Sequence, residues 1–410
     1  MSSWLEGHPN RFCVVFEQLG VGMSIPKRGF AVSEYERRLD NIQKLMFESK
    51  MDAILLTTQV DIEYYTGFKS QFFQSPTRPW YVLIPSSGKP RAIIPTIGES
   101  GMRDTWIEDI QTWTSPNPED DGVSILLSNI KSLMVNHKSL GVPKTLESTL
   151  RMPLEDYETL IKNLPGVEIK DANKIMRRVR FVKSEAEIEK IRHICQITSQ
   201  GFIDLEGFLR AGESEQENCR RFKQHLLKLG VDDSPYIVSG SGQKGYGSII
   251  MGPTDKIIEE GDLFIIDTGS VFDSYYCDFD RNYAFGSIGE ETKKAYRVAY
   301  DATEAGFKAA QVGNTTSDIF NAMNNVLQKG GALGSTVGRL GHGLGMQLTE
   351  WPSNTASDNT VLEPGVVLTL EPGMAFLPGK EMVHEENIVI TEDGPEWLSI
   401  RAAEELPIIQ

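Results

Sequence analysis

The chain has 410 residues and a formal net charge of −16, and at that length a single hydrophobic core has usually stopped growing, so two domains are expected. With 57 acidic residues against 41 basic ones, it has no surplus of Lys and Arg with which to hold nucleic acid or an anionic membrane surface, and neither is expected as a partner. Hydrophobic residues at 40% and charged residues at 24% describe an ordinary globular balance and exclude long disordered stretches.

The opening, MSSWLEGHPNRFCVVFEQLG, has no basic segment ahead of an apolar core, and no run of eighteen apolar residues follows, which points to a cytoplasmic protein. Next, SEYERRLDNIQKLMFESKMD has apolar residues at helical spacing and passes into the strand-like AILLTT. Further strands are expected at YVLIP (81–85) and RAIIP (91–95), separated by the turn SSGKP. Between these elements Phe72, Phe73, Arg78, Pro79 and Trp80 form an aromatic and basic cluster, readable as a pocket wall, including that of a neighbouring subunit, or as core packing. Residues 1–172 are expected to form this first α/β domain and residues 173–410 the second.

The boundary lies in IMRRVRFVKSEAEIEKIRHICQIT, where Ser184 and Glu187 make an S-x-x-E capping box and open a new helix. EETKKAYRVAYDATEAGFKAA (290–310) predicts a long amphipathic helix with Ala295, Val298, Ala302, Ala305 and Ala309 on one face. Around it stand the strand-like runs YIVSG, DLFIIDTG, YYCDFDRNYAFG, GVVLTLEPG and NIVITEDG, so the second domain is expected to be α+β with a largely antiparallel sheet. The four cysteines, Cys13, Cys195, Cys219 and Cys277, fit no metal-finger spacing and read as buried thiols of a reducing compartment. Gly240-Ser-Gly-Gln-Lys-Gly245 fits GxGxxG, but YGSIIMGP after it is no helix, so a loop over the active site is expected there rather than a nucleotide cradle.

The chemistry lies in the last third. LFIIDTGSVFDSYYCDFDR carries Asp267 and Asp278, and a turn at Gly269 would bring the two carboxylates together across a hairpin. GRLGHGLGMQLTEWP surrounds His342 with glycines that let backbone approach a crowded site. Glu371 ends the apolar run VVLTL and Glu385 precedes NIVI; unpaired charge beside buried strands would be costly, and metal would neutralise it. Four carboxylates and one imidazole are too many for one ordinary catalytic zinc and suit two divalent ions, with a bridging hydroxide available near neutral pH.

The ordered set DTG, CD eleven residues on, GHGLG, LEPG and a Glu before a strand resembles the aminopeptidase P, prolidase, methionine aminopeptidase and creatinase superfamily. DIEYYTGF (61–68) and KSEAEIEKIR extend the resemblance over nearly the whole chain. It implies a pita-bread catalytic domain behind a smaller creatinase-like α/β domain, a homodimer, and manganese, cobalt, iron or zinc as the metal. In this pattern Asp267 would chelate one ion, Asp278 and Glu385 would bridge, and His342 with Glu371 would complete the second; Glu371 would also act as general base. Arg281 matches the family's SDxTR arginine.

Departures from the pattern concern the substrate side. Ile250 stands where related peptidases keep a proton-transfer His, Thr349 where they carry a second His before Glu350, Val383 where prolidases have an Arg, and Asp280 where the family has Thr. His384 or Tyr246 could fill a vacated role instead. Asp280 reads as an extra ligand, a proton shuttle or a partner for Arg281, with the ion pair expected. A buried oxyanion donor is worth about 2.7–4 kcal/mol in a transition state, so ordinary Xaa-Pro cleavage is put in question and a non-standard small substrate gains ground. Three readings follow: a dinuclear-metal hydrolase of a C–N bond in a short peptide or small compound; a lyase on the same scaffold, of the dimethylsulfoniopropionate-lyase kind; and a non-catalytic binding module, disfavoured because all five ligands are present.

Overall fold

In this computed structural model, which describes residues 25–75, 78–334 and 338–410, the chain separates into two compact units, one formed by residues 28–180 and the other by residues 181–410 with the short stretch before residue 28. Cys13 and the opening segment lie outside the described residues. None of the described helices is long and apolar enough to cross a membrane.

The first unit is built on a six-stranded sheet of β1 (Ala53–Leu56), β2 (Tyr81–Pro85), β3 (Arg91–Pro95), β4 (Asp109–Trp113), β5 (Ser139–Val142) and β6 (Glu168–Asp171), in the order β4-β3-β2-β1-β5-β6. Its central strands are apolar on both faces, and β1 and β2 are buried at every position, as expected of strands covered on both sides. The first helix, α1 (Val32–Glu48), turns Tyr35, Leu39, Ile42 and Met46 inward, which is the stripe its spacing predicts. The aromatic cluster divides: Phe73 and Trp80 are buried against Phe68, at ring-centroid distances of 5.5 Å from each other and 5.2 Å from Phe68 to Trp80, while exposed Phe72 lies under the Arg78 guanidinium at 5.1 Å.

The second unit opens with the expected capping box: Ser184 accepts from Glu187 N–H, Glu187 reaches back to Ser184 N–H, and α2 (Glu185–Leu205) follows. After α3 (Glu215–Leu229) come β7 (Asp233–Gln243), β8 (Asp262–Phe272), β9 (Tyr275–Tyr276) and β10 (Phe279–Phe285), which with β18 (Ile408–Ile409) form one sheet in the order β18-β10-β8-β7, β9 pairing with β8. A second sheet contains β11 (His342–Gly343), β12 (Glu350–Ser353), β13 (Val367–Leu370), β16 (Glu386–Thr391) and β17 (Gly394–Trp397), ordered β12-β11-β13-β16-β17; β14 (Gly373–Leu377) and β15 (Lys380–Val383) form a separate ribbon. The expected single sheet is thus two five-stranded sheets, antiparallel except where β10 meets β18. Leu263, Ile265, Leu368, Leu370 and Ile388 from both sheets share one core with Ala299, Ala302, Ile319 and Met323 of α4 (Glu290–Ala309) and α5 (Thr316–Gly330).

The buried face of α4 is rotated from the predicted one. It carries Ala295, Tyr296, Ala299, Ala302, Thr303 and Gly306, with Val298 and Ala305 only partly covered. The polar pair explains this: Tyr296 donates to the Ala403 carbonyl at 2.6 Å and Thr303 Oγ1 meets His384 Nδ1 at 3.0 Å. Counting alanines alone misses such partners. The GxGxxG stretch also departs from expectation, because Gly240 to Gln243 are strand residues of β7 and not a loop. Gly240 and Gly242 serve close packing, since a Cβ at either would come within 2.7 Å of the Ser248 carbonyl or 2.6 Å of the Gly245 carbonyl.

Candidate dinuclear metal site

Strand β8 passes straight through Gly269, and the reversal comes at Asp273-Ser274, both at positive φ (48° and 70°). Two successive left-handed residues make the turn that suits the right-handed twist of a hairpin. Gly269 lies mid-strand, paired with Tyr236, and a Cβ there would come within 2.2 Å of Leu348 Cδ1. The correction moves the pairing: Asp267 stands directly opposite Asp280, and Asp278 sits just ahead of β10.

Two sheets supply the site. Asp267 and Asp278 come from the β8–β10 hairpin, His342 from β11, Glu371 from the residue after β13, and Glu385 from the residue before β16. Ligand atoms of Asp278, His342 and Glu385 all lie within 4.8 Å of one another, and His342 Nε2 is 3.5 Å from Asp278 Oδ2. His342 Nδ1 is 2.9 Å from the Gly343 carbonyl, a bond that requires the proton on Nδ1 and turns the Nε2 lone pair towards the carboxylates. Asp267 and Glu371 keep partial solvent access, while Asp278 and Glu385 are buried.

The electrostatics show how strongly these acids converge. Burial, then the Glu371 carboxylate, pushes Asp267 up to about 8, against the lowering effect of a hydrogen bond from Tyr236. Burial raises Glu371 to about 7 although the Arg339 charge opposes it. Asp278 and Glu385 are held well above the usual carboxylate range by burial and then by the other acids. Burial and the Arg339 guanidinium draw His342 down to about 4, keeping the neutral imidazole that ligates metal.

The donor set fits divalent cations. Asp267 Oδ1, Asp278 Oδ1 and Glu385 Oε1 are buried with no hydrogen-bond partner, three orphaned acceptors where natural interiors leave few. Hard oxygen donors with one imidazole are the chemistry that manganese, iron, cobalt or zinc accepts.

Placement of the remaining candidates is mixed. Asp280 is buried, and burial followed by the Asp267 charge raises it well above its usual range. It does not form the expected ion pair with Arg281, because neighbours along a strand face opposite sides: the guanidinium donates to the Asp280 backbone carbonyl at 2.6 Å and pairs with Glu386 Oε2 at 3.0 Å. Glu350 is buried, 3.2 Å from Lys183 Nζ. Ile250 and Thr349 are exposed, Ile250 at 76%. Of the proposed stand-ins, Tyr246 Oη accepts from Val383 N–H at 2.8 Å, and His384 is held at Nδ1 by Thr303 while its buried Nε2 has no hydrogen-bond partner.

Sequence reading missed Tyr236, Arg339 and Asn387. Tyr236 sits opposite Gly269, two register positions from Asp267 and so on the same face, and its hydroxyl titrates above the usual range through burial and then Asp267, Asp278, Glu385 and Glu371. Arg339 lies three residues before His342, with Nη2 3.4 Å from Thr349 Oγ1, and Leu340 beside it accepts from Glu371 N–H at 3.2 Å. The one available signal was its position in GRLGHG.

A mixed two-unit fold with a buried acid and imidazole cluster in its second unit defines a metallohydrolase. The model of metallopeptidase family M24 matches residues 189–393 and that of the creatinase/prolidase N-terminal domain residues 38–182; the chain belongs to metallopeptidase family M24, a family of hydrolases. It is 26% identical over 369 residues to "Probable dipeptidase PepE" of Mycobacterium tuberculosis (strain ATCC 25618 / H37Rv), covering 90% of this chain and 95% of that protein. To the Xaa-Pro dipeptidase of Pyrococcus furiosus it is 24% identical, over 89% of this chain and 98% of the other. The crystal structure of a recombinant prolidase from Thermococcus sibiricus superposes with a TM-score of 0.82 at 22% identity, over 93% and 100% of the two chains, which confirms the creatinase-like domain followed by a pita-bread domain.

Proposed function

We propose that the chain is a dinuclear-metal hydrolase that cleaves a C–N bond in a short peptide or small compound, with the dipeptidase names of its relatives favouring the peptide. The observation that carries the reading is the clustering of Asp278, His342 and Glu385, whose ligand atoms lie within 4.8 Å of one another, together with three unpartnered buried carboxylate oxygens on Asp267, Asp278 and Glu385. Asp267, Asp278, His342, Glu371 and Glu385 would hold two divalent ions, manganese first, then zinc, cobalt or iron. Such ions supply an activated water and polarise the scissile carbonyl.

The chain's own groups do the rest. Glu371, which keeps partial solvent access, would hold and return the proton exchanged between water and leaving nitrogen. Tyr236 orients Asp267. Arg339, 3.4 Å from Thr349 Oγ1, would be available to substrate, and Ile250 and Val383 offer no imidazole or guanidinium in its place. A homodimer in the cytoplasm completes the proposal.

The position of Asp280 favours one second reading. A carboxyl buried opposite Asp267 is a candidate acid or base for elimination, and the products separate the two: hydrolysis yields an amine and a carboxylate, elimination an alkene. Elemental analysis of purified protein followed by a screen of Xaa-Pro dipeptides, cyclic amidines and sulfonium zwitterions with Mn²⁺ tests the whole. Two ions per chain and amine release are expected; fewer than two at saturation, with activity indifferent to Asp278→Ala, would sink it.

A further inference from the structure

Asp278 and Glu385 belong to different sheets, yet their carboxylates must hold a fixed separation if they share ions. Asp278 falls between β9 and β10: Cys277 before it still donates to the Ser270 carbonyl of β8 at 3.0 Å, but the Asp278 N–H turns away to another strand. What replaces the ladder is one side chain. Asn387 Oδ1 accepts from Asp278 N–H at 2.9 Å, and Asn387 Nδ2 donates back to the Asp278 carbonyl, so its amide satisfies both backbone groups as a strand neighbour would.

Asn387 is fully buried and lies two residues beyond Glu385 in β16, opposite Thr369 of β13. Its backbone N–H donates to Ser399 Oγ at 3.1 Å and its carbonyl accepts from Leu398 N–H at 2.9 Å. Thr369 Oγ1 in turn accepts from His342 N–H at 3.1 Å. The Cys195 thiol, 3.2 Å from Asn387 Oδ1, gives that oxygen a second donor and so determines which end of the amide faces Asp278 N–H.

From this arrangement we infer that Asn387 is a positioning residue for the metal centre: it clamps the Asp278 backbone to the strand that follows Glu385 and thereby sets the spacing of the two carboxylates across the sheet-to-sheet gap. The inference rests on the metal-centre reading above and deepens it. Aspartate at this position keeps the acceptor and the size but loses the Nδ2 donor, and its added negative charge would by itself tighten cation binding. Weaker binding by that variant therefore reports lost positioning.

The test is calorimetric Mn²⁺ titration of the full chain, stripped and reloaded, with electron paramagnetic resonance of the loaded forms. Wild type should take up two ions and show a spin-coupled pair. Asn387→Asp should bind roughly 10–100-fold more weakly, as loss of a supporting group does, and lose the coupled signal. Asn387→Ser, whose smaller side chain admits water to the two backbone groups, must move in the same direction, and it carries the test if the aspartate variant does not fold. Affinity within about twofold of wild type and an unchanged coupled spectrum in the folded variants would overturn the clamp alone; a wild type that takes up no Mn²⁺ would overturn the metal centre itself.

Discussion

Glu385 and Glu386 are neighbours in sequence, both buried, and their surroundings are opposites. Glu386 is met by protein: Arg281 Nη2 at 3.0 Å, Ala402 N–H at 2.9 Å, the Ser399 hydroxyl, and Arg401 Nε at 3.5 Å. Glu385 faces Asp278 and His342 with Oε1 unpartnered. Alternation along the chain sends one acid to each side of the sheet, and the protein neutralises one with its own cations while leaving an oxygen of the other without a hydrogen-bond partner. An acid cluster that a fold could have paired, and did not, is evidence about ligands; the paired cluster beside it shows what pairing looks like here.

The largest expected effect breaks the open side. Asp278→Ala should abolish binding of the second ion and lower activity by more than the ~100-fold that loss of a supporting group costs, read by elemental analysis and peptide turnover, with the fold retained in circular dichroism. Breaking the closed side should do the reverse. Arg281→Met strands Glu386 as a buried, half-compensated charge and should cost roughly 3–5 kcal/mol of stability in chemical denaturation, while the folded fraction still binds two ions. A variant that lost metal and kept its stability would erase the distinction between the two acids.

Proton linkage sharpens the same contrast. In the metal-free chain Asp267 and Glu371 are raised to about 8 and about 7, so the folded state binds protons more tightly than the unfolded one. Stability from these groups is complete below their ordinary range near pH 4 and is lost as pH rises through about 8. Metal-free protein should therefore melt several degrees lower at pH 8.5 than at pH 5.5, and saturating Mn²⁺ should remove most of that slope. A slope identical with and without metal would place the proton-binding acids outside the metal site.

Much of this was legible in the residues. The order of acids and imidazole along the chain pointed to a cluster, of which the structure brings Asp278, His342 and Glu385 within 4.8 Å, and the capping box at Ser184, the first three strands of the first unit and its first helix follow from local chemistry that tertiary packing did not overrule. Other features depended on partners that no local pattern displays. DTG looked like a turn, but its glycine packs mid-strand against the Leu348 side chain, and the real reversal is made by two non-glycine residues in the left-handed region. Asp280 and Arg281 looked like a pair because acid stands beside base; strand alternation separates them. Asn387 carries no motif at all, since a lone amide in a hydrophobic strand reads as a defect until the backbone it serves is known.

The smallest expected effect concerns Arg339, where the two-sided comparison is least complete. Its guanidinium makes no ion pair among the described residues and lies 3.4 Å from Thr349 Oγ1, yet its charge opposes the upward shift of Asp278 and Glu371. Two roles are distinct. If it only tempers repulsion among the acids, Arg339→Met should shift metal affinity slightly and treat all substrates alike. If it also receives a substrate carboxylate, the variant should raise KM about fivefold, the worth of one half-exposed charge-assisted hydrogen bond near 1 kcal/mol, for Ala-Pro with a free carboxylate and leave KM for its C-terminal amide unchanged. We expect the second pattern, because a guanidinium beside the site with no ion pair among the described residues is placed to meet an anion that arrives with the substrate; equal KM changes for acid and amide would restrict Arg339 to the first role.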